Sequence, residues 1–582
     1  MDSTKLGVHP VHGGVRSLGH AGVGLMTGGS NGIVEPIGVA ALAQADPDRT
    51  AIVDGDLTLS YVGLTRRAHQ VVHALTDLGM APGDVLAAAI PNSTAHFELR
   101  HAVSIAGWYL APLDPTTSPG EVVRRVRAID ARVLIASGAM LTEIQASLDP
   151  TDKLTLISAG AARTSKGGDE TSVLAYGDLM RNQPTTPKSA IRAGKVLPFS
   201  SGTTGPPKAI WRSLSGNPST VSRSMVANVA RLDLRPGRGV HLILGPLHFA
   251  ASSSMAYAAL QLGQTVVVGH STSPEAILEL LQRHRVTSTF MVPTLLHRLV
   301  QLPDHVRARY DLSSLTSLVH AGSPCSVELK RQAIAWLGPV VHEFYGAAEG
   351  TATAVRAAEW LTKPGTAGLP MPGVDVRVLD PDGHDLPPGK VGLVHYTLSR
   401  PFAYQRGDSA SERYFTAGDL GYLDADGWLF LQGRRDDVIL SGGVNVSPAE
   451  VEGVLAAHHD VRDAAVTGLP DEEWGHRLVA FVVLESGVAA SPAVAQQLRS
   501  LCRERLSRFK VPTGVSFVRE LPRSASGKLI RSRLSDLIPL VTSDQSASPE
   551  RKANEGYEPT GPGDRLPETT RPARGRQIVP ER

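Results

Sequence analysis

Short apolar runs recur along this chain, and they alternate with stretches of helical spacing. Residues 85–90 (Val-Leu-Ala-Ala-Ala-Ile) make a strand-length run, and residues 95–106 that follow have helical spacing. Runs at 133–135, 154–157, 240–244 and 265–268 predict further strands, with helices at 62–78, 252–262 and 274–284. Residues 51–53 and 57–59 flank Asp54-Gly55-Asp56, which predicts two strands around a tight turn. A short helical pattern at 37–43 marks the start of ordered sequence. Strand-length runs separated by amphipathic helices predict an α/β region with parallel sheets.

The texture changes after Gly373. Runs at 374–379, 392–398 and 428–432 are separated by Pro, Asp and Gly, which predicts a smaller β-rich subdomain. A charged segment, 433–438, then divides two differently patterned regions. Helical spacing at 448–455 and 492–508, with strands at 464–468 and 478–484, predicts a compact α+β unit. The expected organisation is a mobile arm (1–33), a large N-terminal α/β domain (34–433), a small mobile C-terminal lid (434–540) and a disordered tail (541–582). The tail is rich in Pro, Glu, Arg, Thr and Gly, and cannot bury enough apolar surface to offset its ordering entropy.

Composition narrows the function classes. The chain has 582 residues, 42% hydrophobic and 20% charged, which is ordinary for a globular protein. Lys plus Arg number 58 against 56 Asp plus Glu, so no strong field invites nucleic acid. Two cysteines, Cys325 and Cys502, exclude a disulfide framework. No apolar stretch is long enough for a membrane span, and the first 31 residues lack a signal-peptide pattern, so a cytoplasmic protein is expected.

Five segments could carry chemistry. Phe199-Ser200-Ser201-Gly202-Thr203-Thr204-Gly205-Pro206-Pro207-Lys208 packs hydroxyls and glycines into one loop, where backbone N–H groups, hydroxyls and a lysine can meet phosphate. Its spacing is not that of a Walker A loop. In Phe344-Tyr345-Gly346-Ala347-Ala348-Glu349, a carboxylate among small residues could hold magnesium near phosphates. In Thr416-Ala417-Gly418-Asp419, an acidic turn could accept two ribose hydroxyls. Arg434-Arg435-Asp436-Asp437 precedes Gly442-Gly443 and a Pro-x-Glu helix start. Ser524-Ala525-Ser526-Gly527-Lys528 presents a lysine on a flexible loop. Each segment taken singly has an ordinary loop or surface explanation.

In this order and at these intervals, the five resemble the adenylate-forming superfamily, most closely bacterial fatty-acyl or aryl acid:CoA ligases, over roughly residues 37–540. The resemblance implies ATP, magnesium and coenzyme A as cofactors, and a small-molecule acid as substrate. Ser200 to Lys208, including Ser201, Gly202, Thr203, Thr204 and Gly205, would wrap the β- and γ-phosphates. Gly322 and Ser323 would line the adenine, with Tyr345 stacked on it beside Gly346. Glu349 would bind magnesium, and Asp419 and Arg434 the ribose. Asp436 would be the hinge, and Lys528 would bridge carboxylate and α-phosphate. Gly442 and Gly443 would open a pantetheine channel, with Trp474 and the Phe509-Lys510 pair as coenzyme A contacts. His248, in Gly245-Pro246-Leu247-His248, would either gate an apolar acid pocket, as a catalytic candidate, or simply pack there.

One departure stands out. Family members usually carry Thr or Ser where this chain has Ala348, so a hydroxyl contact to the α-phosphate is missing. Such a contact is worth roughly 1.5–3 kcal/mol. Residues 241–270 hold no Asp or Glu to pair an α-ammonium, which disfavours amino acids as substrates. Two alternatives remain at this stage. One is adenylation of nitrite for diazotisation of an aromatic amine, with a small acceptor other than coenzyme A. The other is a non-catalytic nucleotide-binding protein, against which the intact Lys528 argues. A homodimer is compatible with the sequence; a nucleic-acid partner is not expected.

Overall fold

The computed structural model describes residues 36–149, 152–160, 173–188, 190, 192–200, 207–217, 223–398, 400–407, 414–441, 444–471, 474–524 and 528–537. The expected arm and tail lie outside them, as do residues 201–206 and Gly442-Gly443.

Two largely parallel sheets dominate. The six-stranded sheet runs in the order Leu174–Ala175, Thr155–Ser158, Ala131–Ala136, Val85–Ala89, Tyr109–Pro112, Lys195–Val196, all parallel. Val85–Ala89 is buried at every position, as a central parallel strand covered on both faces must be. Helix Tyr61–Asp77 packs Val71, Val72 and Leu75 against one face, and helix Pro119–Ala128 packs Val122, Val123 and Val126 against the other.

The nine-stranded sheet is parallel at its centre, through Val341–Ala347, Ser317–His320, Ser288–Met291, Val240–Ile243, Thr265–Val268 and Thr50–Asp54. Antiparallel strands close both ends: Leu57–Ser60 at one, Gly350–Val355 and Leu369–Pro370 at the other. The parallel strands end on one side, at Ile243, Met291, His320 and Ala347, and the loops leaving them form a crevice. Open α/β sheets place ligands at this edge.

An antiparallel sheet follows, with Val376–Leu379, Gly392–Thr397, Asp419–Leu423 and Leu429–Arg434 in order, and Tyr414–Phe415 beside the second strand. Arg434 completes its last strand and lies opposite Asp419. The C-terminal layer pairs Val461–Asp471 with Gly475–Leu484 and adds Gly514–Phe517 in parallel. Helices Pro448–Leu455 and Pro492–Arg505 cover it through Val451, Leu455, Leu498 and Cys502. Ser491 caps the second helix, its hydroxyl accepting from the Val494 N–H at 3.3 Å.

Most predicted elements stand within a residue or two. The helix expected to reach residue 508 stops at Arg505, because Leu506 turns extended and Arg508–Lys510 form a separate 3-10 turn. Several elements gave no prediction, among them strands Tyr109–Pro112, Ser288–Met291 and Ser317–His320. Pro112 interrupts the first, and only two apolar residues stand together within each of the other two, so no apolar run stands out. No helix among the described residues is long and apolar enough to cross a membrane.

Candidate active site

A continuous cleft of about 3040 Å³ opens where the sheet edges and the C-terminal layer meet. Ser200, Lys208, His248, Gly322, Ser323, Tyr345, Gly346, Glu349, Asp419, Arg434, Asp436 and Lys528 all line it. The chain therefore brings together residues spread over more than half its length. Trp474 stands apart, half exposed, its N–H bonded to Asp471 Oδ1 at 2.9 Å.

A bulge builds one wall. The register of Val341–Ala347 against Gly350–Val355 shifts between Tyr345 and Gly346. A Cβ on Gly346 would lie 2.3 Å from the Gly350 carbonyl oxygen, so the bulge needs glycine there. Tyr345 beside it donates its hydroxyl to Asp419 Oδ2 at 2.7 Å. The other oxygen, Asp419 Oδ1, accepts from Arg434 Nε at 3.2 Å. Burial, then the Asp419 carboxylate, holds the Tyr345 phenol above its ordinary range, so it stays a donor.

Glu349 is 6% exposed and accepts from the Tyr404 hydroxyl at 2.9 Å. The Tyr404 ring in turn lies 5.4 Å from Lys208 Nζ. Ser200 and Lys208 are joined by two bonds: Ser200 N–H donates to the Lys208 carbonyl at 2.8 Å, and Lys208 N–H to Ser200 Oγ at 3.0 Å. Residues 201–206 between them lie outside the described residues.

Lys528 enters from the C-terminal layer. Its N–H donates to Ser524 Oγ at 3.2 Å, and its carbonyl accepts from Ser524 N–H at 2.8 Å, which ties Lys528 to Ser524. Burial and the Arg434 charge lower its pKa, while Asp419 and Glu349 oppose that shift. The lysine thus sits in the field of both carboxylates. Asp436, its side chain about half exposed, lies 3.6 Å from Arg435.

The other end of the cleft is apolar. Leu244, Phe290, Ala321 and Phe344 line it, and the two phenyl rings lie 6.0 Å apart. His248 rests on Phe249 at 4.3 Å, with Nε2 buried and 3.7 Å from Asp114 Oδ2. Burial lowers its pKa against the pull of Asp114. Of the carboxylates from outside residues 241–270 that line the cleft, Glu343 stands next to Phe344 in this wall. It is paired with the buried Lys330 at 2.6 Å, so its charge is already balanced.

Sequence reasoning missed Tyr404, Arg212, Lys195, Arg400 and Asp114, all of which line this cleft. They lie in segments with no fixed spacing to the motifs, and only the folded sheets reveal their proximity.

Comparison with known proteins decides the family. The chain matches the AMP-binding enzyme family over residues 39–397, and the AMP-binding enzyme C-terminal domain over residues 450–528. It belongs to that family. It is accordingly an AMP-forming ligase of the adenylate-forming superfamily. A fatty acid–[acyl-carrier-protein] ligase, ScoC of Streptomyces coeruleorubidus, is 30% identical, covering 85% of this chain and 94% of the relative. A 2-succinylbenzoate–CoA ligase of Geobacillus kaustophilus is 32% identical over 85% of this chain and 96% of its own. Among solved structures, the amide bond synthetase McbA from Marinactinospora thermotolerans superposes with a TM-score of 0.71 at 29% identity, covering 84% of this chain and 96% of that one.

Proposed function

We propose that this ligase adenylates an apolar fatty or aryl carboxylic acid and transfers the acyl group to coenzyme A. The observation that carries the reading is Lys528, half-buried in the cleft wall and within the field of Arg434, Asp419 and Glu349. Two anions must meet for adenylation: a carboxylate oxygen attacks the α-phosphorus, and the bond to pyrophosphate breaks. A cation fixed at that meeting point offsets their repulsion and costs no reorganisation during reaction.

In this reading Asp419 and Arg434 hold the ribose hydroxyls. Tyr345, Gly322 and Ser323 surround the adenine, and Ser200 and Lys208 hold the outer phosphates. Glu349 fits a magnesium site: it is a hard oxygen donor, nearly buried, its position fixed by Tyr404. One protein carboxylate suits an ion that takes its remaining ligands from phosphate and water. Magnesium bound there would neutralise phosphate charge.

The apolar far end, with Glu343 already neutralised by Lys330, favours an acid tail without charge. In the second half-reaction a thiolate attacks the acyl carbonyl and AMP leaves. Residues after 434 would rotate about Asp436 for that step, withdrawing Lys528 and presenting Gly442 and Gly443. Coenzyme A is favoured as acceptor by the names of several relatives, 2-succinylbenzoate–CoA ligase among them. McbA is named for an amide bond and ScoC for an acyl carrier protein, and the test below offers an acceptor of each kind.

The test is pyrophosphate release with ATP and magnesium against fatty acids, aryl acids and nitrite. Each active acid is then offered coenzyme A, an acyl carrier protein or an amine. Acid-dependent release with thioester formation is the expected outcome. Release that requires nitrite and an aromatic amine would overturn it, as would silence with every acid.

A further inference from the structure

Tyr404 belongs to none of the sequence motifs, yet it touches two of them. Its hydroxyl donates to Glu349 Oε1 at 2.9 Å, and its ring lies 5.4 Å from Lys208 Nζ. The backbone fixes where the residue stands. Its neighbour Ala403 pairs with Trp211 through two bonds: Trp211 N–H donates to the Ala403 carbonyl at 2.8 Å, and Ala403 N–H to the Trp211 carbonyl at 2.9 Å. Trp211 follows Lys208 by three residues, so this pairing ties Tyr404 to the segment that carries Lys208.

Neighbouring rings fix how it is turned. Tyr404 meets Phe402 edge-on, with centroids 5.0 Å apart. Phe402 is buried and meets Phe415 at 5.9 Å; Phe415 meets Tyr396 at 5.4 Å, and Tyr396 meets Tyr345 at 6.1 Å, each near perpendicular. Edge-to-face contacts of this kind set ring orientation as well as adding to burial. The row of rings runs from one hydroxyl bonded to Glu349 to another bonded to Asp419. Tyr404 is therefore a mounted side chain, although it is 38% exposed.

This mounting bears on what Glu349 can offer a cation. A carboxylate has two oxygens, and the Tyr404 hydroxyl engages Oε1 and competes for it. Among the described residues nothing bonds Oε2, and that oxygen stays open to the cleft Glu349 lines. Magnesium takes single oxygens in a compact octahedral set, whereas calcium is larger, takes more ligands and accepts both oxygens of one carboxylate. A hydrogen bond to a ligating carboxylate also orients it, and its loss typically costs 10–100-fold in metal affinity. We propose that Tyr404 is a positioning residue that holds Glu349 to one-oxygen coordination, and so sets a preference for magnesium over calcium. This rests on the adenylation reading, in which Glu349 is the metal carboxylate, and adds how this chain selects the ion.

Calorimetry with α,β-methylene-ATP tests this without knowing the acid, because a carbon bridge replaces the link that adenylation breaks. The analogue is titrated without metal, with magnesium and with calcium, and AMP is titrated without metal. Tyr404→Phe keeps the ring beside Phe402 and Lys208 and removes one oxygen at a partly exposed position, so folding is not at stake. It should lower the enhancement of binding by magnesium roughly tenfold. The enhancement by calcium should fall less, so that the magnesium-to-calcium ratio drops at least fivefold, and AMP should bind within about twofold. In a Glu349→Gln background the same substitution should leave the ratio unmoved, because no carboxylate remains to be held. An unchanged ratio in the first background, or an equal change in both, overturns the assignment. So does equal weakening of AMP and the analogue, which would make Tyr404 a general support of the cleft. If neither ion alters analogue binding to the unsubstituted protein, Glu349 is not the metal carboxylate and the proposal falls. An unsubstituted protein that binds neither AMP nor the analogue fails the adenylation reading itself, a result distinct from an unmoved ion preference.

Discussion

The residues up to Arg434 and those after it handle polar groups differently. The larger region buries histidines: His96, His101, His241, His320 and His342 are each at most 6% exposed. The C-terminal layer buries none of its described histidines and holds itself with ion pairs around a small core. Arg531 bonds Glu452 at 2.6 Å and lies 3.2 Å from Asp437; Arg523 meets Asp463 at 2.8 Å, and Lys510 meets Glu450 at 2.6 Å. A large core can hold neutral polar groups, and a few paired charges such as Lys330 with Glu343, in its interior, whereas a small layer with limited apolar area places its paired charges at its boundary. The large region should accordingly be sensitive to acid, and the small one to salt.

The largest expected effect is that of acid. Burial holds His96, His101, His241 and His342 at about 4. The unfolded chain takes up protons near pH 6.5, so between 6.5 and 4 it binds more protons than the folded one. Stability is full above 6.5 and falls as pH drops through that window, by about 2 kcal/mol per histidine at pH 5. Urea unfolding at pH 7 and pH 5 should differ by several kcal/mol. Hydrogen exchange should rise first around helix Thr94–Ala106 and strand Val240–Ile243, and stay slow in Val461–Asp471. A stability independent of pH across that window would remove the contrast.

Next in size is Lys528→Ala, which reaches across the two regions. Adenylation should fall roughly 10²–10³-fold, as when a fixed transition-state charge is removed. Transfer from a supplied acyl-adenylate should be spared, because the charge is needed only as carboxylate and α-phosphate approach. Equal loss in both half-reactions would assign Lys528 to docking of the C-terminal layer. Because its pKa is lowered, the adenylation rate should also decline on the alkaline side at a pH below the ordinary lysine value.

Asp419→Asn probes the preorganised end of the cleft. It keeps the shape but removes the charge that Arg434 and Tyr345 share. A hydrogen bond to a charged group is worth about 1.5–3 kcal/mol, so AMP should bind roughly tenfold more weakly or worse. Unchanged affinity would place the ribose elsewhere.

How far the sequence reveals such sites depends on local backbone demands. Gly346 is forced by a bulge and Gly418 by a φ of 83°, so the residues beside them stand in readable patterns. Strand Val85–Ala89 is an unbroken apolar run and reads at once. Asp114, Arg212 and Tyr404 satisfy no local rule. They meet the cleft through pairings such as Trp211 with Ala403, nearly two hundred positions apart, which no window of sequence contains. The apolar acid end is legible only as a composition, because any well-packed set of Leu, Phe and Met would serve.

The smallest effect expected is at Lys510, which tests the C-terminal half of the contrast. Its ammonium contacts both oxygens of Glu450, at 2.7 and 2.6 Å, and both side chains are partly exposed. An ion pair of that kind gains modest energy and is screened by salt, so Lys510→Met should cost no more than about 1 kcal/mol in unfolding. In about 1 M salt, where screening is nearly complete, the difference between the two proteins should shrink toward zero. A loss well beyond that size, or one indifferent to salt, would mean that the lysine stem packs the layer and that ion pairing is incidental. The same variant separates a second role. Phe509 beside it is 41% exposed, an apolar surface available to an acceptor. If Lys510 also meets an anionic acceptor, the substitution should raise the KM for coenzyme A several-fold and leave adenylation unchanged. An unaltered KM would confine Lys510 to holding helix Pro448–Leu455 against the turn that follows helix Pro492–Arg505.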